Sequence, residues 1–175
     1  IVGFNRGLGI YQYQNAENVE IQGIEFDYKR SLTEQLSFNF AAAISSGDLF
    51  EDNEKHPLPE IDPRELILGL NWKPSDVFSL QALLTISGKS EDNLEEVCLN
   101  NDCWPRVKTS GYSLFDIFAS YIPNENLEFR FAVENATDKK YLRWASVSEL
   151  PENDSELDLY GQNGRSISAS FKYIF

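Results

Sequence analysis

Side chains able to do chemistry are few in this 175-residue chain, which holds one histidine, two cysteines, three tryptophans and no methionine. His56 is the only imidazole, set beside a proline in Glu54-Lys-His-Pro57, and no Gly-x-Ser-x-Gly elbow accompanies it. Hydrolase triads are therefore not expected, and neither is enzymatic function of any kind. Cys98 and Cys103 are separated by Leu-Asn-Asn-Asp. That spacing is wider than a redox pair, and two further metal ligands are missing nearby. Such a loop closes easily as a disulfide wherever the compartment is oxidising. The 28 acidic residues against 15 basic ones give a net charge of −13. Nucleic acid is excluded as a partner, because phosphate binding needs clustered Lys and Arg. Asn135-Ala-Thr137 and Asn153-Asp-Ser155 match glycosylation acceptors, which would matter only in a eukaryotic secreted chain.

The elements that must carry these residues are strands. Ile167, Ala169, Phe171, Tyr173 and Phe175 share one parity of the last twelve residues, with Arg165, Ser166, Ser168, Ser170 and Lys172 around them. Period-two alternation predicts a strand with one apolar and one wet face. A terminal aromatic strand is a sticky edge in water, yet is at home in a closed membrane barrel. This run resembles the C-terminal signature of bacterial outer-membrane proteins, which the barrel-assembly machinery reads. Aromatic content of 13 % with low mean hydropathy suits strands that alternate lipid-facing and water-facing residues. No run approaches the roughly 18 apolar residues of a spanning helix.

One long strand is expected from Gly9 to Arg30, with Ile24, Phe26 and Tyr28 on one face. Val19 and Ile21 lie on the opposite parity, so a bulge or a close backbone approach is expected at Gly23. Further apolar faces are Leu36 to Ile44, Leu66 to Trp72, Phe78 to Ile86, Phe115 to Tyr121 and Leu127 to Val133. Connections alternate short and long. The short turns are 31–35, 73–76 and 123–126, and the long loops are about 47–62, 88–110 and 137–163. Transmembrane barrels have short periplasmic turns and longer extracellular loops. Glu25, Asp27, Asp116, Glu128 and Arg130 fall on the inner parity, facing a wet lumen or a plug. The fold class is thus all-β, an antiparallel up-and-down meander of a transmembrane barrel. About seven strands cannot close alone, since lipid does not tolerate open sheet edges. Residues 1–175 are accordingly expected to form the C-terminal segment of a larger barrel, with any signal peptide or plug outside the chain.

Five segments resemble the family of TonB-dependent receptors. They are Tyr13-Gln-Asn-Ala-Glu-Asn-Val-Glu-Ile-Gln-Gly-Ile-Glu-Phe26, Pro57-Leu-Pro-Glu-Ile-Asp-Pro-Arg-Glu-Leu66, Tyr112-Ser-Leu-Phe-Asp-Ile-Phe-Ala-Ser-Tyr121, Leu127-Glu-Phe-Arg-Phe-Ala-Val-Glu-Asn-Ala-Thr-Asp-Lys-Lys-Tyr141 and the terminal strand. Ile61-Asp-Pro63 and Tyr141-Leu-Arg-Trp-Ala-Ser-Val147 are similar to the haem and haemoglobin members.

The resemblance implies a large plugged barrel in the bacterial outer membrane, taking up haem or haem-protein iron. The driving force would come from an inner-membrane TonB complex acting on an N-terminal box of the plug, which is not in this chain. Ferric siderophore uptake is the alternative ligand class. A porin or adhesin barrel and a soluble β-sandwich adhesion domain are alternatives of other classes. No cofactor is expected to be held covalently, haem being cargo. His56, Trp104 and Trp144 are the residues that could contact it, the tryptophans by stacking from exposed loops, although a place in the aromatic girdle suits Trp144 equally. Cys98 and Cys103 would staple an extracellular loop, although the family pattern does not require them. Membrane lipid is the expected partner of the apolar face. Lipopolysaccharide could meet the acidic loops through bridging divalent cations, although a merely solvated surface accounts for them as well.

Overall fold

Strict alternation of apolar and polar residues leaves each strand one face that water will not solvate, and the strands satisfy their backbones by pairing in chain order. The computed structural model describes residues 2–5, 10–13, 18–51, 54–90, 94, 96–99 and 102–175. Its strands are β1 (Val2–Asn5), β2 (Ile10–Tyr13), β3 (Asn18–Ser31), β4 (Leu36–Glu51), β5 (Glu54–Pro57), β6 (Glu65–Ser75), β7 (Phe78–Ser87), β8 (Val97–Leu99), β9 (Asp102–Trp104), β10 (Tyr112–Asn124), β11 (Leu127–Glu134) and β12 (Ser166–Tyr173). A one-turn helix α1 (Trp144–Val147) and a 3-10 helix (Leu157–Tyr160) complete the fold. Seven strands form one meander, β3-β4-β6-β7-β10-β11-β12, with every neighbouring pair antiparallel. β5 adds to the free end of β4, while β1-β2 and β8-β9 are separate hairpins.

Register turns sequence parity into two continuous faces. Tyr28, Phe40, Leu68, Leu84 and Phe115 align across five strands on one face. On the other, Ser37, Asn71, Gln81, Phe118, Ala132 and Ser168 align across six. Apolar residues of the first face stay uncovered, with Phe26 55 %, Phe131 54 % and Ile167 75 % exposed. A contiguous apolar surface of this extent marks a phase other than water around it. Aromatic side chains gather at the short-turn end, where Trp72 meets Phe78 at 6.2 Å and Phe129 meets Phe171 at 5.3 Å between ring centroids. That is the position of an interfacial girdle, and Trp72 sits in it. The terminal-strand residues Ile167, Ala169, Phe171 and Tyr173 lie opposite Val133, Phe131, Phe129 and Leu127. Phe175 follows beyond the end of β12.

Two sequence expectations need correction, and the choice left open at Gly23 is decided. The expected strand from Gly9 to Arg30 is not one element: Ile10–Tyr13 pairs with Val2–Asn5, and the meander begins at Asn18. No bulge occurs at Gly23, because the β3-β4 register runs unbroken from Asn18↔Phe50 to Ser31↔Ser37. The glycine instead answers a close backbone approach: a Cβ there would lie 2.8 Å from the Ile44 carbonyl oxygen. Ile21 itself stays 62 % exposed, while the inner face changes neighbours above Gly23. Lower down it carries Glu25 and Asp27; higher up, Leu58 and Ile61 descend on Gly47, opposite Ile21. Finally, the long loops are not bare connections. They hold the upper part of β4 with β5, the β8-β9 hairpin and both helical turns.

Candidate functional site

The inner face, the rim above it and the three long connections make up the candidate site. Along the wall, Glu128 and Arg130 form an ion pair two residues apart on β11. Asn71 donates to Asn39 at 3.1 Å across β6 and β4. Glu25 and Asp27 stand exposed on the inner parity of β3. The wall curves around a polar cleft of about 1060 Å³ that includes Asp27, Lys29, Gln81 and Arg130. Such a polar surface is able to hydrogen-bond water or another protein segment.

The rim is built by residues that take unusual backbone angles. Asn135 and Asp138 have φ of 49° and 55°, the only positive values outside glycine among the described residues. Asn and Asp tolerate this left-handed region better than other side chains. Asn135 is 5 % exposed and its side chain replaces missing backbone partners. Its Oδ1 accepts from Lys139 N at 2.8 Å, and its Nδ2 donates to the carbonyls of Lys139 at 2.8 Å and Asn163 at 3.2 Å. Its own N–H donates to Asp116 Oδ1 at 2.6 Å. Asp116, expected to face the lumen or a plug, is thus committed on its inner face to closing the end of β11. Asp138 Oδ1 accepts from Arg165 N at 2.8 Å, and a Cβ on Gly164 would lie 2.5 Å from that oxygen. Both roots of the third loop are pinned by this arrangement.

Tyr141 follows, its ring centroid 4.3 Å from that of Tyr112 on the inner parity of β10. Burial raises its phenol above the usual value of 10.0, Arg143 opposes the rise, and Tyr112 and Asp116 add to it. A folded pKa raised above the unfolded one contributes stability that is complete below the unfolded value and lost as pH rises through the folded one. The Tyr112–Tyr141 contact is therefore expected to hold up to pH 10 and loosen above it. Titration of tyrosinate absorbance in wild type and Tyr141→Phe checks this: the group that disappears in the variant should be a late-titrating one.

Above the rim the loops pack into a cap with its own core. Val107, Trp144 and Val147 are buried together, with Leu94, Leu142, Leu150, Leu157 and Tyr160 packed against them. Val107 N donates to Leu150 O at 2.9 Å, and Glu152 N to Pro105 O at 2.7 Å. Arg106 Nη1 donates to Ser148 O at 2.6 Å and lies 3.3 Å from the Glu149 carboxylate. Trp144 Nε1 donates to Pro59 O at 2.9 Å, joining the third loop to the first. Together with Leu58, these are the buried hydrophobic residues of the described chain, and all lie in the connections.

Trp144 therefore differs from its expectation as an exposed stacking residue. At 5 % exposure, with its N–H committed, the indole has no open face to offer a planar ligand. Trp104 is half-buried opposite Val97 in the β8-β9 hairpin. His56 is half-buried on β5, its Nε2 3.8 Å from Glu54 Oε2. Cys98 and Cys103 stand directly opposite each other in register. The structure thus brings Trp144 to the first loop, and places Glu128 with Arg130. Sequence reasoning missed Asn135, Arg106, Val107 and Val147. The left-handed preference of Asn and Asp after a strand was a usable signal for the first; the others carry no periodic mark.

An outward apolar band, an inward polar wall and a packed cap at the long-loop end define part of a transmembrane receptor barrel. The TonB dependent receptor-like β-barrel family matches residues 1–136, and the chain belongs to that family, whose members are outer-membrane transport receptors rather than enzymes. The porin and soluble-sandwich alternatives fall away with it. The chain is similar to the ferric enterobactin receptor PirA of Pseudomonas aeruginosa, 28 % identical over 171 residues, covering 97 % of this chain and 22 % of that protein. It is also similar to the haemoglobin-haptoglobin utilization protein B of Neisseria meningitidis, 26 % identical over 153 residues, covering 82 % and 19 %. Among solved structures, the copper transporter OprC superposes with a TM-score of 0.77 at 19 % identity, covering 99 % of this chain and 25 % of that one. The Pseudomonas aeruginosa ferric enterobactin receptor PfeA with enterobactin gives 0.68 at 21 % identity, covering 95 % and 24 %. These two share the fold. The chain spans about a fifth to a quarter of the length of these proteins.

Proposed function

We propose that this chain is the C-terminal segment of an outer-membrane receptor that takes up haem or a haem-bearing protein, energised by TonB through a plug outside these residues. The observation that carries the reading is the cap: the second and third loops packed on a common core, with the first joined to it through Trp144 and Pro59, make a preformed platform, and preformed surfaces lose less entropy on binding. The long loops hold seventeen acidic and seven basic side chains. That field repels an anionic ferric catecholate and suits a protein ligand with basic surface. A second reading, ferric siderophore uptake, is favoured by the 28 % identity along 97 % of the chain to a ferric enterobactin receptor. Membrane lipid and lipopolysaccharide would cover the outward face.

The full-length receptor in detergent distinguishes the two. Retention on haemoglobin-agarose with a Soret shift on adding haemin supports the first reading; ferric enterobactin binding without either sinks it. Cys98 and Cys103 would form a disulfide that staples the β8-β9 hairpin, consistent with their opposed register. Maleimide labelling of the denatured receptor is expected to find these two thiols only after reduction; labelling without reductant refutes the bridge.

A further inference from the structure

Loop roots of the cap lie side by side along the meander, yet its contacts skip a neighbour. The third loop leaves β11, and its Trp144 reaches Pro59 in the first loop, next to β6. Between β11 and β6 stand β10 and β7, so the reach crosses three inter-strand steps, about 14 Å. Both ends of the crossing are on the inner side. Tyr141 packs on Tyr112, which has the inner parity of Asp116 and Phe118. Leu58 and Ile61, flanking Pro59, pack over the inner-parity Gly47. On a wall that curves around the lumen, a connection between two inner points is a chord across the opening.

We propose that the third loop is a strap across part of the barrel mouth, latched on its far side by the indole of Trp144. Its near end is fixed through Asn135 and Asp138, as described above. Midway it is held by Arg106 on Ser148 and Glu149 and by the main-chain bonds of Val107 with Leu150 and Glu152 with Pro105. The far end depends on one indole hydrogen bond and the packing of one buried helical turn. Release at Trp144 frees the tip of the strap to swing off the first loop, hinged on its root and its midway bonds, and so widens the entrance on that side. This uses the receptor reading only for the position of the lumen and not for the ligand.

The test is a distance measurement on the full-length receptor in nanodiscs, with spin labels at Glu60→Cys and Ser146→Cys in a Cys98→Ser, Cys103→Ser background. With Trp144 intact, a single narrow distance is expected. Trp144→Phe keeps a ring but removes the donor, and is expected to raise a longer-distance population about fivefold, the equivalent of one hydrogen bond. Trp144→Ala is expected to make the longer distance dominant. Heat-modifiable mobility on gels reports that the barrel has folded, and Trp144→Phe decides the matter if the alanine variant does not fold. An unchanged narrow distribution in Trp144→Phe overturns the proposal, as does a broad distribution already present with Trp144. Because no ligand enters the assay, its failure is separable from failure of haem binding.

Discussion

Leu84→Arg is expected to destabilise the membrane-inserted fold by about 2–4 kcal/mol, the cost of a basic side chain on the lipid face near the bilayer midplane. Leu84 lies opposite Leu68 and Phe115, in the middle of the outward band. The guanidinium there finds neither water nor an acidic partner on the same face. Gln81→Arg, three residues earlier in β7 and on the inner parity with Asn71 and Phe118, is expected to stay within about 1 kcal/mol. Folding titrations into phospholipid vesicles measure both. Equal losses at the two positions, or a larger loss at Gln81, would refute the assignment of faces.

Asn135→Ala is expected to cost about 3 kcal/mol, through two causes that add. Three side-chain hydrogen bonds disappear at a site 5 % exposed, leaving the Lys139 N–H and the Lys139 and Asn163 carbonyls without this partner. Alanine must also hold a φ of 49°, which a Cβ without a polar group disfavours by about 1 kcal/mol. Proteolysis of the third loop in the folded receptor is the readout. Where cleavage follows the open population, 3 kcal/mol corresponds to about a hundredfold faster nicking within residues 137–163. Asp116→Asn keeps an acceptor for the Asn135 N–H and is expected to do much less damage. A variant Asn135→Ala no more sensitive than wild type would show that the rim does not hold the loop.

How much of this was legible in the sequence depends on whether one element or several determine a residue's surroundings. Leu66, Leu68, Leu70 and Trp72 announce their strand because each faces the same lipid, and the period is written locally. Phe78 to Ile86 and Leu127 to Val133 are legible for the same reason. The short-and-long order of the connections gave the topology in advance. At Gly23 the parity switch left a bulge or a close backbone approach open, and only the β4 partner, a separate segment, decides for the approach. The same limit hid the role of Trp144. Its burial is assembled from Val107 and Val147 and its bond from Pro59, which are distant in sequence. An indole in a polar loop reads as exposed when its neighbours cannot be seen. The parity of Asp116 was legible, but its engagement with Asn135 depends on a left-handed turn nineteen residues later.

Among the described residues the buried hydrophobic core lies in the connections, while the strands keep their apolar side chains on the outside. Two solvents therefore govern one polypeptide. The cap should obey the thermodynamics of a small water-soluble domain, with exposure of hydrocarbon on melting and hence a positive heat-capacity change and sensitivity to urea. The meander exchanges its apolar surface with lipid, and its integrity should follow chain length and packing of the amphiphile more than urea. Calorimetry of the receptor in a fixed detergent should then resolve a low, urea-responsive transition for the cap beneath the barrel's own. Ligand recognition and membrane residence could on this basis change independently, one answering to water and the other to lipid.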